Sequence, residues 1–270
     1  MKLLQQITIS LFLFVAAVYG VTQVNLRYNT DRTPPVISFD SDIVTVSANS
    51  SPNALLQGVT ATDQKDGDLS GKVLVQGTTQ LLTKDTAKVT YVVFDSSNNI
   101  ATASRTVRYS DYEKPRFHQR TPLVFPHNQS VDIAALLTAT DLKDGDISDN
   151  IRISTSTLDI YTTGVYTVTA QVLNSLGDSE ILPLKVVISD SAKVIPSFQL
   201  SEYVVYLNVG DRFNPQQYIL NVTNGNSVQI QDSVVQTDTP GIYHVAYSHT
   251  ANSDNRTPNV YTVYQTVVVR

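Results

Sequence analysis

At 270 residues, with 41% hydrophobic and 16% charged residues, the chain is long enough for two or three small domains with buried cores. A formal net charge of -5 leaves no basic surface for phosphate backbones and excludes nucleic acid as a partner. The absence of cysteine excludes disulfides, thiolate metal sites and cysteine nucleophiles, and favours a bacterial exterior over a eukaryotic one. A bias toward Val, Thr, Ser, Ile and Tyr, with one Met and no Trp, predicts an all-β fold.

Taken in chain order, Lys2 precedes an apolar run from Ile7 to Val21, relieved only by Thr and Ser. Fifteen residues lie between a signal-peptide core and a bilayer span of about 20. The segment is therefore expected either to stay as a membrane anchor or to be cleaved near Val18-Tyr19-Gly20, and in both cases it exports the rest of the chain. Val24 to Thr33 is polar and ends at Pro34-Pro35, a short stalk, so residues 1–32 are set apart from the globular part.

Strand signals then come at regular intervals: Val36 to Phe39, Ile43 to Ala48, Val59 to Thr62, Lys72 to Gln76, Ala87 to Phe94 and Thr102 to Arg108. In the fifth, the two-residue period puts Val89, Tyr91 and Val93 on one face. A second series comes at Val131 to Thr138, Ile151 to Ser154, Gly164 to Leu173 and Glu180 to Ile188. A third contains Tyr203 to Asn208, Tyr218 to Val222, Ser227 to Ile230, Gly241 to Tyr247 and Val260 to Val269. The expected organisation is three tandem immunoglobulin-like β-sandwich domains, 33–113, 114–194 and a divergent 195–270, after an N-terminal hydrophobic helix.

One motif ties the first two copies together. Ala61-Thr62-Asp63-Gln64-Lys65-Asp66-Gly67-Asp68-Leu69-Ser70 returns 78 residues later as Ala139 to Ser148, with nine of ten positions identical or conservatively replaced. The third copy has Asn221 to Asn226 in its place. Three carboxylates in six residues around a glycine offer the hard oxygen ligands that Ca²⁺ takes, although the spacing is not that of an EF-hand. In a sandwich this loop shares an end with the turn carrying Asp95 or Asn174 and with the incoming linker, which for the second copy holds Asp111 and Glu113. Asp63, Asp66, Asp68, Asp95, Asp111, Glu113, Asp141, Asp144 and Asp146 are thus the calcium candidates, weighed against aspartates that merely cap and close turns.

These residues resemble a bacterial immunoglobulin-like domain family of surface and secreted proteins, first noted in a pesticidal crystal protein. The resemblance rests on the entry Thr33-Pro34-Pro35-Val36-Ile37, the doubled Ala-Thr-Asp plus Asp-Gly-Asp loop, the strands Gly164 to Val168 and Gly241 to Val245, and the turn Phe94-Asp95. It covers 33–194 well and 195–270 in part, and it implies tandem spacers or binding modules without catalysis.

No nucleophile, acid–base or phosphate-loop signature appears among the residues. His244 and His249 are five apart, hence on opposite faces of a strand, and are expected to be solvated. The third copy is rich in tyrosine, which fills a β core or forms an exposed contact patch. The sequence points to a non-enzymatic, cell-surface or secreted repeat protein, a stalk with an adhesion module. Its third domain would contact a surface protein, a glycan or another copy, and residues 7–21 would hold the membrane. The alternative is a calcium-stiffened spacer or envelope component without its own ligand.

Overall fold

The computed structural model describes residues 2–29, 31–190, 198–222, 227–232, 234–251 and 259–270. The fold is all-β after one N-terminal helix, Lys2–Asn29. Within that helix Leu3–Val24 is apolar and unburied, long enough to cross a membrane. Two compact units are distinguished, Met1–Ser110 and Asp111–Arg270.

The first unit holds one sandwich after the helix. Its larger sheet runs in the order Ile43–Val46, Ile100–Tyr109, Thr86–Phe94, Leu74–Thr78, and its smaller sheet pairs Val36–Phe39 with Val59–Asp63 and Gly67–Asp68. Ile43–Val46 lies parallel to Ile100–Tyr109, whereas the other pairs are antiparallel. The expected inward face is realised, since Ala87, Val89, Tyr91 and Val93 are all sealed while their neighbours are not. Each buried valine supplies roughly 1.5–3 kcal/mol by leaving water.

The second unit contains two sandwiches built to the same plan. In the second, Val124–Pro126, Ser179–Ser189, Gly164–Leu173 and Arg152–Ser156 form the larger sheet. In the third, the corresponding order is Val204–Leu207, Asn259–Val269, Gly241–Ala251 and Gln229–Gln231. Among the described residues, the smaller sheet of the third copy pairs Gln199–Leu200 with Ile219–Leu220. The expected replacement segment Asn221 to Asn226 lies partly outside the described residues.

Two strand expectations shift. Val131 to Thr138 is not one strand, because the Asp132 Oδ1 accepts the N–H groups of Ala134 and Ala135 and winds Ala134–Leu136 into a 3₁₀ turn before the strand Leu137–Asp141. Arg116–Gln119 is a strand that the pattern did not disclose, since Phe117 is its single large apolar residue.

The second and third sandwiches share apolar packing. Val204 and Val268 of the third belong to the core of the second, with Phe117, Leu182 and Ile188, while Val124 of the second packs against the core of the third. The phenol oxygen of Tyr206 accepts the Phe117 N–H at 2.8 Å. The guanidinium groups of Arg116 and Arg270 stand 5.5 and 4.7 Å from the Tyr206 ring centroid.

Candidate functional site

The repeated ten-residue motif forms the same object twice, and most of its side chains close it internally. Asp63 pairs with Gly67 across a two-strand turn, as Asp141 does with Gly145, and the two glycines have φ of 72° and 74°, a conformation costly for any residue with a Cβ. The Asp63 Oδ1 accepts the N–H groups of Lys65 and Asp66, and the Asp141 Oδ1 those of Lys143 and Asp144. Asp68 and Asp146 accept the N–H of Ser70 and Ser148, whose hydroxyls in turn accept the N–H of the sealed Ala61 and Ala139. The hydroxyl's part in these bonds accounts for the Ser at the tenth position, and complete burial suits the small Ala at the first. The Ser70 and Ser148 hydroxyls first, and their N–H groups second, hold the Asp68 and Asp146 carboxyls below their ordinary range.

Asp66 and Asp144 reach the neighbouring turn of the sandwich. Asp66 accepts both the N–H and the hydroxyl of Ser96, at 2.7 and 2.8 Å, and Asp144 binds Ser175 identically at 2.6 and 2.6 Å. The Ser96 N–H first, and its hydroxyl second, lower the Asp66 carboxyl from its ordinary value. These four aspartates are therefore turn-closing groups.

The first repeat then does something the second does not. Asp63 and Asp95 are 8% and 6% exposed, and with Asp31 from the linker they bring one carboxylate oxygen each to within 4.8 Å of one another. The Oδ2 atoms of Asp63 and Asp31 are buried without any hydrogen-bond partner. Asn99 organises the group, its Nδ2 donating to the Asp95 Oδ2 at 2.6 Å and to the backbone oxygens of Asp31 and Thr33 at 3.2 and 3.4 Å. Asp95 also closes its own turn by accepting the Ser97 and Asn99 N–H groups. At an effective dielectric near 20, each pair of full charges at such a distance repels by roughly 3 kcal/mol, so the cluster is a place of concentrated negative potential.

In the second repeat the acid and amide change places: Asp95 and Asn99 correspond to Asn174 and Asp178. The Asn174 Nδ2 donates to the Asp141 Oδ2 and to the Tyr112 phenol oxygen, both at 3.0 Å, and Tyr112 donates to the Asp178 Oδ2 at 2.9 Å. Burial, followed by the bond to Asp178, pushes the Tyr112 hydroxyl above its ordinary value and keeps it a donor. Lys114 adds a cation 3.6 Å from Asp178, and Glu113 is paired to Arg116 at 2.6 Å. The five acidic residues expected to converge there, Asp111, Glu113, Asp141, Asp144 and Asp146, do not come together. Among the described residues, the three carboxylates of the first repeat are the group that does. Asp31 was missed because it lies in a stretch read as stalk; the Asp95–Asn99 spacing was the available signal.

The remaining candidates resolve differently from expectation. His249 is 1% exposed, not solvated, because it shares the inward face of Gly241–Ala251 with Val245 and Tyr247. His244, on the other face, bonds Thr266. Of the seven tyrosines of the third sandwich, Tyr203, Tyr247 and Tyr261 are core residues and the other four are partly buried. A cleft of about 690 Å³ opens within the second unit, where His118, Arg120, Thr140 and Asp146 of the second sandwich face Glu202 and Val204 of the third.

No protein-family model matches the chain. It is similar to an uncharacterized 81.3 kDa protein of Acholeplasma phage L2, 27% identical over 229 residues, which are 81% of this chain and 30% of that protein. It is also similar to the pesticidal crystal protein Cry22Aa of Bacillus thuringiensis, 31% identical over 123 residues, 42% of this chain and 16% of that one. The chain thus spans less than a third of either relative. Among solved structures it is similar to the CBM51-2 and INT domains of Clostridium perfringens ZmpB in complex with GlcNAc, with 19% identity, 55% and 26% of the two chains covered, and a TM-score of 0.24. For the protocadherin GammaB4 extracellular domain the values are 10%, 88% and 51%, and 0.22.

Proposed function

We propose that this chain is a non-enzymatic extracellular binding protein, held at or exported across a membrane by its N-terminal helix, whose second and third sandwiches act together as the contact body. The observation that carries this reading is the apolar packing between their two cores, with Val204 and Val268 set among second-sandwich residues and Val124 against the third, beside a cleft that both sandwiches line. That packing sets the two walls of the cleft beside each other. The lining offers Arg120, His118 and the carboxylates of Asp146 and Glu202 beside threonine hydroxyls, which suits a polar partner such as a glycan or a surface-protein loop. The apolar segment Leu3–Val24, unburied in the fold, supports the membrane placement.

The test uses the full chain in detergent micelles, immobilised and exposed to a glycan panel and to whole bacterial cells. Saturable binding to one class of surface, reduced about tenfold or more by Arg120→Ala with Glu202→Ala, is the expected result. Binding indifferent to both substitutions, or turnover of a cell-wall polymer by the chain, would overturn it.

A further inference from the structure

The three carboxylates of the first repeat point to a ligand that the contact body does not require. We propose that Asp31, Asp63 and Asp95 form a site for one calcium ion, that the second repeat lacks its counterpart, and that Asp31 makes the linker behind the N-terminal helix part of the site.

Three observations combine. The donor atoms already lie within 4.8 Å of one another, close enough for one ion to touch all three. Asp63, more than nine-tenths buried, keeps its Oδ2 without a partner while its Oδ1 is spent on the Lys65 and Asp66 N–H groups. A buried carboxylate oxygen with nothing to accept is costly unless a cation completes it. The Asp31 Oδ2 is in the same condition, while its Oδ1 accepts the Thr33 N–H. All the donors are oxygens held by turns and a linker, the set that suits calcium better than a transition metal, with backbone oxygens or water free to complete six to eight ligands.

The second repeat supplies the contrast. There the amide of Asn174 donates to the Asp141 Oδ2, the atom equivalent to the orphaned one, and Tyr112 closes the network on Asp178. An amide N–H pointed at that oxygen does what a cation would do in the first repeat. The exchange of acid and amide between positions 95 and 99 and positions 174 and 178 is thus an exchange of binding site for hydrogen-bond network.

The experiment is calorimetric titration of CaCl₂ into the full chain in detergent micelles after chelation, with thermal melts alongside. One ion per chain is expected, with affinity in the roughly micromolar to millimolar range of exposed calcium modules. Asp31→Asn keeps the acceptor for Thr33 but removes the charge; it should weaken binding about tenfold or more, while Asp144→Asn leaves it unchanged. Calcium should raise the melting temperature of wild type and not of Asp31→Asn. Without calcium, Asp31→Asn should melt no lower than wild type, because it removes a like charge. No saturable binding at about 10 mM calcium, two ions per chain, or an Asp31→Asn titration matching wild type would overturn the site. A chelated Asp31→Asn melt below that of wild type would make Asp31 a structural residue and overturn its role as ligand.

Discussion

Arg105 is 5% exposed, yet it carries a full charge into the first sandwich. It is accommodated by the backbone oxygens of Leu55, Gln57 and Ser41, by the Tyr91 phenol oxygen at 3.0 Å, and by the rings of Phe39 and Tyr91. The Asp40 carboxylate also stands 3.5 Å away, but it is 66% exposed, so the carbonyls do most of the solvation. Arg105→Met is expected to cost about 3 kcal/mol, since it leaves those carbonyls buried and unpaired, whereas Asp40→Asn should cost less than about 1. Urea unfolding followed by tyrosine fluorescence checks both. The same register holds Gln265 opposite Val245 and diagonal to Tyr247 in the third sandwich, as Arg105 is to Tyr91, with the phenol bonded to Gln265 and to the Pro215 oxygen, while the second sandwich places Leu184 and Ala170 there. That polar core was invisible in the sequence, because an Arg in an alternating strand reads as outward-facing until the 3₁₀ turn carrying Leu55 is known to lie over it. The acidic motif was legible as a repeat and as carboxylates near Asp95. Which oxygens are consumed by turns was not, because that depends on Ser96, Asn99 and Asp31, distant in sequence. For Asp66, carbon-detected NMR titration should find a midpoint below the ordinary 3.8, moving back toward it in Ser96→Ala. Whatever stability this carboxylate lends is complete above 3.8 and fades as the pH falls through its own lower value.

The long strands were the most readable elements: Gly164–Leu173 begins and ends where the alternation of its residues predicts. Their edges were less so, and the strand Gly241–Ala251 shows why an element's faces matter beyond its bounds. It continues to Ala251, which puts His249 in the core and leaves His244 facing Thr266 and Lys185 of the neighbouring sandwich. Burial, assisted by the Lys185 charge, lowers His244 from 6.5 to about 4. The native fold therefore prefers the neutral ring, and the unfolded chain takes up the proton first as the solution is acidified. Stability is fully present above 6.5 and is lost as the pH falls from there to about 4, by on the order of 2 kcal/mol after allowance for partial exposure. Urea midpoints at pH 7 and pH 4.5 should separate more for wild type than for His244→Gln, and equal separations would remove His244 from the account.

The second unit has two sandwiches, each with its own core, joined by apolar packing that couples the stability of one to the other. Sequence periodicity marks each sandwich because strands are local, but it carries no sign that Val204 and Val268 point into the neighbouring core. Tyr206 shows how the joint is made. Both the Arg116 and Arg270 guanidinium groups stand over its ring, its oxygen takes the Phe117 N–H, and burial raises its hydroxyl to about 12. Arg270 in turn lies 3.5 Å from the largely buried Glu180, whose carboxyl burial pushes up despite that cation. Tyr206→Phe should cost about 1 kcal/mol, for the Phe117 N–H left without its acceptor. Tyr206→Ala should cost about 3 kcal/mol or more, because it also removes the ring on which both guanidinium groups rest. Hydrogen exchange of the full chain distinguishes a joint from a mere contact. In wild type, the core amides of Gly164–Leu173 and Asn259–Val269 should open with one common free energy, and in Tyr206→Ala the two sets should part, the third sandwich exchanging first. If the sets already differ in wild type, the two sandwiches fold as separate cooperative units, and the cleft between them has walls that move independently.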